Sequence, residues 1–287
     1  HASVRIVDTH TNIVQIEKNW QVIFEDKTTS LELKADHSAL IMKQIWDFSQ
    51  TVDIDDVKEI LDRQIACNMA IANEGIHNSY GANIGHVILN MDSDCVKTRA
   101  KAYAAAGSDA RMNGCELPVV INSGSGNQGI TCCVPVVVYA KELDCTQKQL
   151  YRALVLSNLT AIYIKTGIGT LSAFCGAVSS GAAAGAGIAY LHNGTYKEIQ
   201  HTIVNALAIL SGTICDGAKA SCAAKIASSV DAGIMGYYMY KNKQQFYAGD
   251  GIVAHSVDET IQNIGTLGSQ GMLQTNDKII EMMISCD

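Results

Sequence analysis

The sequence predicts an α+β protein, with a mixed α/β N-terminal part followed by a mostly helical C-terminal part packed through small residues. Three observations carry this expectation. The opening residues, ASVRIVDTHTNIVQIEKNWQVIFE, alternate apolar and polar side chains with turn residues between, which is the period of strands. From Ser38 onward apolar residues recur mainly at helical spacing. Finally, 24 glycines and many alanines and serines stand against 2 prolines and 4 phenylalanines, a composition suited to helices in close contact.

The elements follow in order. The first residues read as two or three strands. Residues 38–48 form a short helical candidate. Residues 53–72, DIDDVKEILDRQIACNMAIA, carry acidic residues in the first turn and apolar residues at helical spacing, a second helix. Residues 95–106 read as a third helix, ended by Gly107. LPVVI then reads as a short extended piece, followed by a glycine-serine loop. The next apolar run contains Pro135, which predicts a kinked or late-starting helix. Helices are expected at 146–165, 170–191, 195–211, 217–240, 256–265 and 276–285, with no repeat of fixed period. The division falls near residue 130: residues 1–130 form the mixed part and residues 131–287 the helical part.

With 287 residues, 48% of them apolar and 17% charged, the chain is long enough and apolar enough for a sizeable core. A net charge of −7 and no long basic run argue against a nucleic-acid partner. The 10 cysteines form no dense disulfide framework, and several lie in apolar helical runs. The opening does not read as a signal peptide, so a reducing, cytoplasmic setting is expected. Residues 166–191, TGIGTLSAFCGAVSSGAAAGAGIAYL, are uncharged and long enough to span a bilayer, but Gly, Ala, Ser and Thr dominate them. Insertion would be weak, and the Gly181-x-x-x-Gly185 spacing equally suits close packing of soluble helices. No membrane partner is expected.

Ser123–Gly129 reads SGSGNQG, after an extended stretch and before a helical run. Glycine permits a close approach to a ligand, and a helix start presents free N–H groups to an anion. Ser123, Gly124, Ser125, Gly126, Asn127 and Gln128 are therefore candidates for binding a carboxylate or phosphate. The loop fits neither the P-loop nor the dinucleotide fingerprint, and an ordinary capped turn has the same composition. Two further polar stretches accompany it. His77 to Asn83 (HNSYGAN) follows a helix, so His77 and Asn78 are weaker candidates. Ser108 to Gly114 (SDARMNG) brings Arg111, whose fork could pair with a carboxylate or make an ordinary surface ion pair.

Cys215 and Cys222 bracket CDGAKASC, and Cys175 lies upstream in FCGAVSSG. On one straight helix the first two would differ by about 10.5 Å in height. Asp216-Gly217 allows a turn, with a helix starting near Gly217 and Cys222 in its second turn, so that the sulfurs can converge. Three thiolates would hold an iron–sulfur cluster with one iron free of protein ligand, whereas buried free thiols packed as small hydrophobes are equally consistent with the spacing.

Taken together, SDARMNG, SGSGNQG, FCGAV and CDGAKASCAAK, with HTNIV at His10 to Val14, resemble the L-cysteine desulfidase family, related to the α-chains of iron–sulfur L-serine dehydratases. The resemblance covers essentially the whole chain. It implies a [4Fe-4S] cluster on Cys175, Cys215 and Cys222 within the helical part, and no pyridoxal phosphate. It implies conversion of L-cysteine to pyruvate, ammonia and sulfide, with serine dehydration as the same β-elimination. Family members carry an additional N-terminal segment with a cysteine proposed as proton acceptor, and nothing here matches it. The catalytic base is accordingly unassigned, the segment being lost, cleaved or supplied by another chain, and the surface so exposed could promote a homodimer. A non-catalytic amino-acid-binding or sensing fragment is a further alternative.

Within that resemblance the SGSGNQG loop would hold the carboxylate of a small amino-acid substrate, with His77, Asn78 and Arg111 orienting it. His10 reads as a structural histidine. Lys219 and Lys225 read as solvated lysines that could balance cluster charge. Cys132 and Cys133 read as core, and Cys67, Cys95, Cys115, Cys145 and Cys286 as structural or incidental.

Overall fold

The computed structural model of the protein describes residues 1–6, 12–26, 36–169 and 172–285; His10 and Cys286 lie outside the described residues. Three strands, β1 (Ala2–Ile6), β2 (Ile13–Lys18) and β3 (Gln21–Glu25), form an antiparallel sheet in the order β1-β2-β3. Asn19 and Trp20 join β2 to β3 with φ of 52° and 68°. Two successive positive φ angles match the right-handed twist of the strands they connect. Ala2 pairs with Lys18 and Ile16 with Phe24, so Val4, Ile16 and Phe24 share one cross-strand row.

The rest is helical: α1 (Met42–Thr51), α2 (Ile54–His77), α3 (Ile84–Met91), α4 (Val96–Met112), α5 (Gly126–Glu142), α6 (Gln147–Ile168), α7 (Gly176–Leu191), α8 (Tyr196–Ile209), α9 (Cys222–Lys241), α10 (Val257–Thr266) and α11 (Leu273–Ile284), with a π-helical segment Leu267–Gly271 between the last two. Together with the small sheet this is the expected α+β class. Thr146, Thr195 and Ser256 each open a helix through a reciprocal capping box with Gln149, Glu198 and Glu259. Among the described residues no helix is long and apolar enough to cross a membrane.

Helix α7 occupies the centre. It packs on α5, α6, α8 and α9, which explains why the uncharged small-residue stretch is apolar on every side. The Gly181/Gly185 pair meets α9 backbone to backbone. A Cβ on Gly181 would lie 2.3 Å from the Ser229 carbonyl oxygen, and one on Gly185 would lie 2.6 Å from that of Gly233. Only glycine permits this approach, so the spacing serves helix contact in the core.

Several boundaries differ from the sequence expectations. Gly107 does not end α4; it lies where the helix crosses α2, with its virtual Cβ 3.4 Å from the Ala72 Cα. The helix continues to Met112, so Asp109 and Arg111 are helical and not in a loop. Helix α2 runs on through His77, which is its last residue. Helix α3 was unexpected; its start is supported by the buried Asp109 carboxylate, which accepts from the Gly85 N–H at 3.0 Å. Helix α5 passes through Pro135 without a late start, beginning instead at Gly126. Helix α9 starts at Cys222 and not near Gly217, because Gly217 takes φ 97° and residues 218–221 form bends and a turn.

Candidate active site

The starts of three helices and the end of a fourth come together. The extended segment before α5 is fixed first. Buried Asn68 of α2 donates to the Val120 carbonyl at 3.1 Å and accepts from the Val120 N–H at 2.8 Å, mimicking a strand neighbour. Asn122 donates to the Asn158 side-chain oxygen at 3.0 Å, and Asn158 exchanges hydrogen bonds with Gln64 at 2.9 and 2.8 Å. This amide network holds the loop from beneath. Ser123 and Gly124 then turn with φ of 48° and 77°. Gly124 has open space where a Cβ would stand. Ser125 caps α5 by accepting from the Gln128 N–H, leaving Gly126, Asn127 and Gln128 as the first helical turn.

Two contacts tie this turn to the rest of the site. The Arg111 guanidinium donates to the Asn127 side-chain oxygen at 3.2 Å, and a Cβ on Gly126 would lie 2.3 Å from Arg111 Nε. Gln128, only 7% exposed, lies over Gly176, the first residue of α7, and its Oε1 has no hydrogen-bond partner. A buried acceptor without a partner beside a helix start is open to a hydrogen bond from another group. Arg111 makes no ion pair among the described residues. Burial lowers its pKa, opposed by the charge of Cys222. An unpaired, half-buried guanidinium is costly and calls for an anion.

The thiols lie at the same end. Cys175 precedes α7 and Cys215 precedes the turn into α9. Their strands of backbone form a short ladder: Cys175 N–H donates to Thr213 O at 3.1 Å, Cys215 N–H donates to Ala173 O at 2.6 Å, and Phe174 bridges to Ile214. The neighbouring Cys215 thiol, and then burial, raises the Cys175 thiol, while Cys175 lowers Cys215 against its burial. Cys222 opens α9 with its sulfur folded into its own turn, 3.5 Å from the Lys219 N–H and 3.6 Å from the Gly217 carbonyl. Among the described residues no three His, Cys, Asp or Glu side chains are gathered as a closed metal-ligand group. The donor set nonetheless suits a thiophilic group: soft ligands, two of them on paired backbone segments and the third a short turn away in the chain.

Two lysines face the thiols. Lys165 of α6 is 7% exposed; burial lowers its pKa, opposed by the charges of Cys215 and Cys175. Lys225 of α9 donates to the Ile214 carbonyl at 2.8 Å and to Asp216 at 2.5 Å, so it is not a freely solvated lysine. Lys219 also pairs with Asp216. Those two bonds hold the Asp216 carboxyl near pKa 2, Lys219 contributing most. A cleft of about 520 Å³ adjoins the turn, with Ile214, Asp216, Lys225, Met282 and Met283 in its walls.

His77 and Asn78 lie at the end of α2 and bond within it. His77 Nδ1 donates to Asn73 O at 2.7 Å and Asn78 donates to Glu74 at 2.9 Å, so both turn back on α2. Cys132 and Cys133 are fully buried, and burial raises both thiols. Gln64, Asn68, Asn158 and Lys165 escaped the reading of the sequence. The signal was present: amides at Gln64 and Asn68, one helical turn apart, and a lysine at 165 interrupt otherwise apolar helix faces.

The serine dehydratase alpha chain family matches residues 10–281. A UPF0597 protein of Desulfitobacterium hafniense is 57% identical over 287 residues, covering 99% of this chain and 67% of its own length. UPF0597 proteins of Lachnoclostridium phytofermentans and Finegoldia magna are 51% and 49% identical, each over 98% of this chain and 68% and 67% of their own lengths. No solved structure is significantly similar. With a match across nearly all of its length, the chain belongs to the serine dehydratase alpha chain family.

Proposed function

We propose that this chain carries the substrate and cluster pocket of a [4Fe-4S]-dependent β-elimination lyase converting L-cysteine to pyruvate, ammonia and sulfide. The observation that supports it most is the convergence of an unpaired arginine, an open helix start and a thiol pair. An α-amino acid needs an anion site for its carboxylate, and its β-substituent needs an electrophile. Arg111 and the first-turn N–H groups of α5 answer the first need; Cys175, Cys215 and Cys222 answer the second by holding the cluster.

When bound, a cluster on three cysteines would supply a Lewis acid through its one iron without a protein ligand, and so polarise the bond to the leaving group. The chain's own residues do the rest. Gly126 keeps its Cα open so that Arg111 lies against the loop. Gln128 offers its orphaned oxygen to the substrate ammonium. Lys165 and Lys225, whose positive charges act on the thiols, favour an anionic group there and thus a departing sulfide. Asn68 and Asn158 hold the loop in register.

The family description favours a second reading, serine dehydration, in which hydroxide departs from the same position. The discriminating experiment is anaerobic reconstitution with iron and sulfide. A brown protein with a broad absorbance at about 400 nm is expected for thiolate-ligated iron–sulfur. Sulfide release from L-cysteine against pyruvate from L-serine then selects the substrate. A protein that stays colourless after reconstitution refutes the cluster.

A further inference from the structure

Cys175, Cys215 and Cys222 can act on one ligand only if two separations are fixed. The first, between Cys175 and Cys215, is fixed by backbone. The ladder from Ala173 to Thr213 and Cys215 holds those two segments side by side. The second, between Cys215 and Cys222, has no such ladder. It spans Gly217 at φ 97° and the turn-forming residues up to Ser221. A short glycine-bearing turn is the segment with most conformational freedom to lose.

Within the turn Cys222 meets Gly217 and Lys219, its sulfur 3.6 Å from the Gly217 carbonyl; the group that reaches from α9 to both sides of Cys215 is one ammonium. Lys225 lies three residues beyond Cys222, on the neighbouring position of the same helix face. Its Nζ donates to the Ile214 carbonyl at 2.8 Å, the group immediately before Cys215. The same Nζ donates at 2.5 Å to Oδ1 of Asp216, the residue immediately after Cys215. Lys225 therefore grips Cys215 from both neighbours and joins it to the first turn of α9, where Cys222 sits. Lys219 takes the other oxygen of Asp216, but it meets α9 only through its backbone at the first residue, where the Cys222 N–H donates to the Lys219 carbonyl at 2.9 Å. The two lysines also differ in setting: the Lys225 side chain is 24% exposed and that of Lys219 46%.

We propose that Asp216 and Lys225 are positioning residues of the thiol site: their ion pair, with the Ile214 carbonyl, sets the Cys215–Cys222 separation and thereby the affinity of the three cysteines for a thiophilic metal. The inference rests on the reading of those cysteines as a ligand set. It adds that the turn is held by a side-chain staple and that loss of the staple releases the third ligand while leaving the fold in place.

Cobalt(II) is the probe, added anaerobically to the cluster-free full chain and read by thiolate-to-metal charge-transfer absorption. Replacing groups that orient metal ligands typically costs about 10- to 100-fold in affinity. Lys225→Met is expected to weaken cobalt binding by about that factor, with an unchanged far-ultraviolet circular dichroism spectrum. Lys225→Arg, which can still reach both acceptors, is expected to recover most of the loss. Asp216→Asn should weaken binding as Lys225→Met does. Lys219→Met should change it by less than about fivefold, the range of an exposed ion pair. Wild-type affinity in both Lys225→Met and Asp216→Asn overturns the staple. The reading beneath it is tested separately: if Cys175→Ser, Cys215→Ser and Cys222→Ser each leave the charge-transfer band unchanged, the ligand set itself is wrong, whatever the lysine variants do.

Discussion

The support of the SGSGNQG loop hangs on Asn68, and Asn68→Ala tests it most sharply. Asn68 is 0% exposed and makes both of its loop hydrogen bonds to one residue, Val120, at 3.1 and 2.8 Å. Alanine leaves the Val120 N–H and C=O without these partners. Each buried polar group so orphaned costs about 1–3 kcal/mol. Val120 is half-buried, so water reaches part of what is exposed, and a total of about 2–4 kcal/mol is expected. The damage should spread to the site. The Gly129 virtual Cβ lies 2.0 Å from the Val120 carbonyl oxygen, so α5 starts directly against the segment that Asn68 holds. Urea unfolding followed by circular dichroism measures the first effect through its midpoint at unchanged slope. Steady-state kinetics of the reconstituted protein measure the second as a raised KM. A loss below about 1 kcal/mol, well short of two orphaned groups, would refute the argument that this one amide organises the loop.

Other outcomes follow from the same geometry. Gly126→Ala drives a methyl group into Arg111 Nε and Val119, so it should raise KM with little change in the melting temperature; Arg111→Lys, which removes the fork, should raise KM by about tenfold or more, equivalent to about 1.4 kcal/mol. Gly181→Ala places its Cβ against the Ser229 backbone, which cannot yield as a side chain would; a loss of about 1–3 kcal/mol or more is expected, read as a lowered melting temperature. Asp109 supplies a pH test. Burial raises its carboxyl to about 6 from 3.8, so the folded state holds the proton more tightly than the unfolded chain. The cost is absent below the unfolded value, accumulates as pH rises from about 4 to 6, and is complete above. Asp109→Asn should remove this fall, on the order of 2–3 kcal/mol relative to the parent, in urea melts across that range.

The sequence by itself determined the class of the fold and drew attention to the loop and thiols proposed as the site. Period-2 alternation marked the strands, the capping residues Thr146, Thr195 and Ser256 marked helix starts, and an uncharged run rich in glycine and alanine marked a helix that other helices approach closely. The SGSGNQG loop announced a turn into a helix because glycine and serine have few other uses there. These signals are local, and local chemistry writes them. Tertiary structure decided what Gly107 and Gly217 do. One is a crossing point inside α4 and the other a true turn, because the partner across the contact, Ala72 in the first case, is distant in sequence. It also decided that Arg111 meets Asn127, that Gln128 lies on Gly176, and that Asn68 stands in for a strand beside Val120. A side chain's neighbours across the fold are set by how helices pack, and no spacing along the chain encodes them.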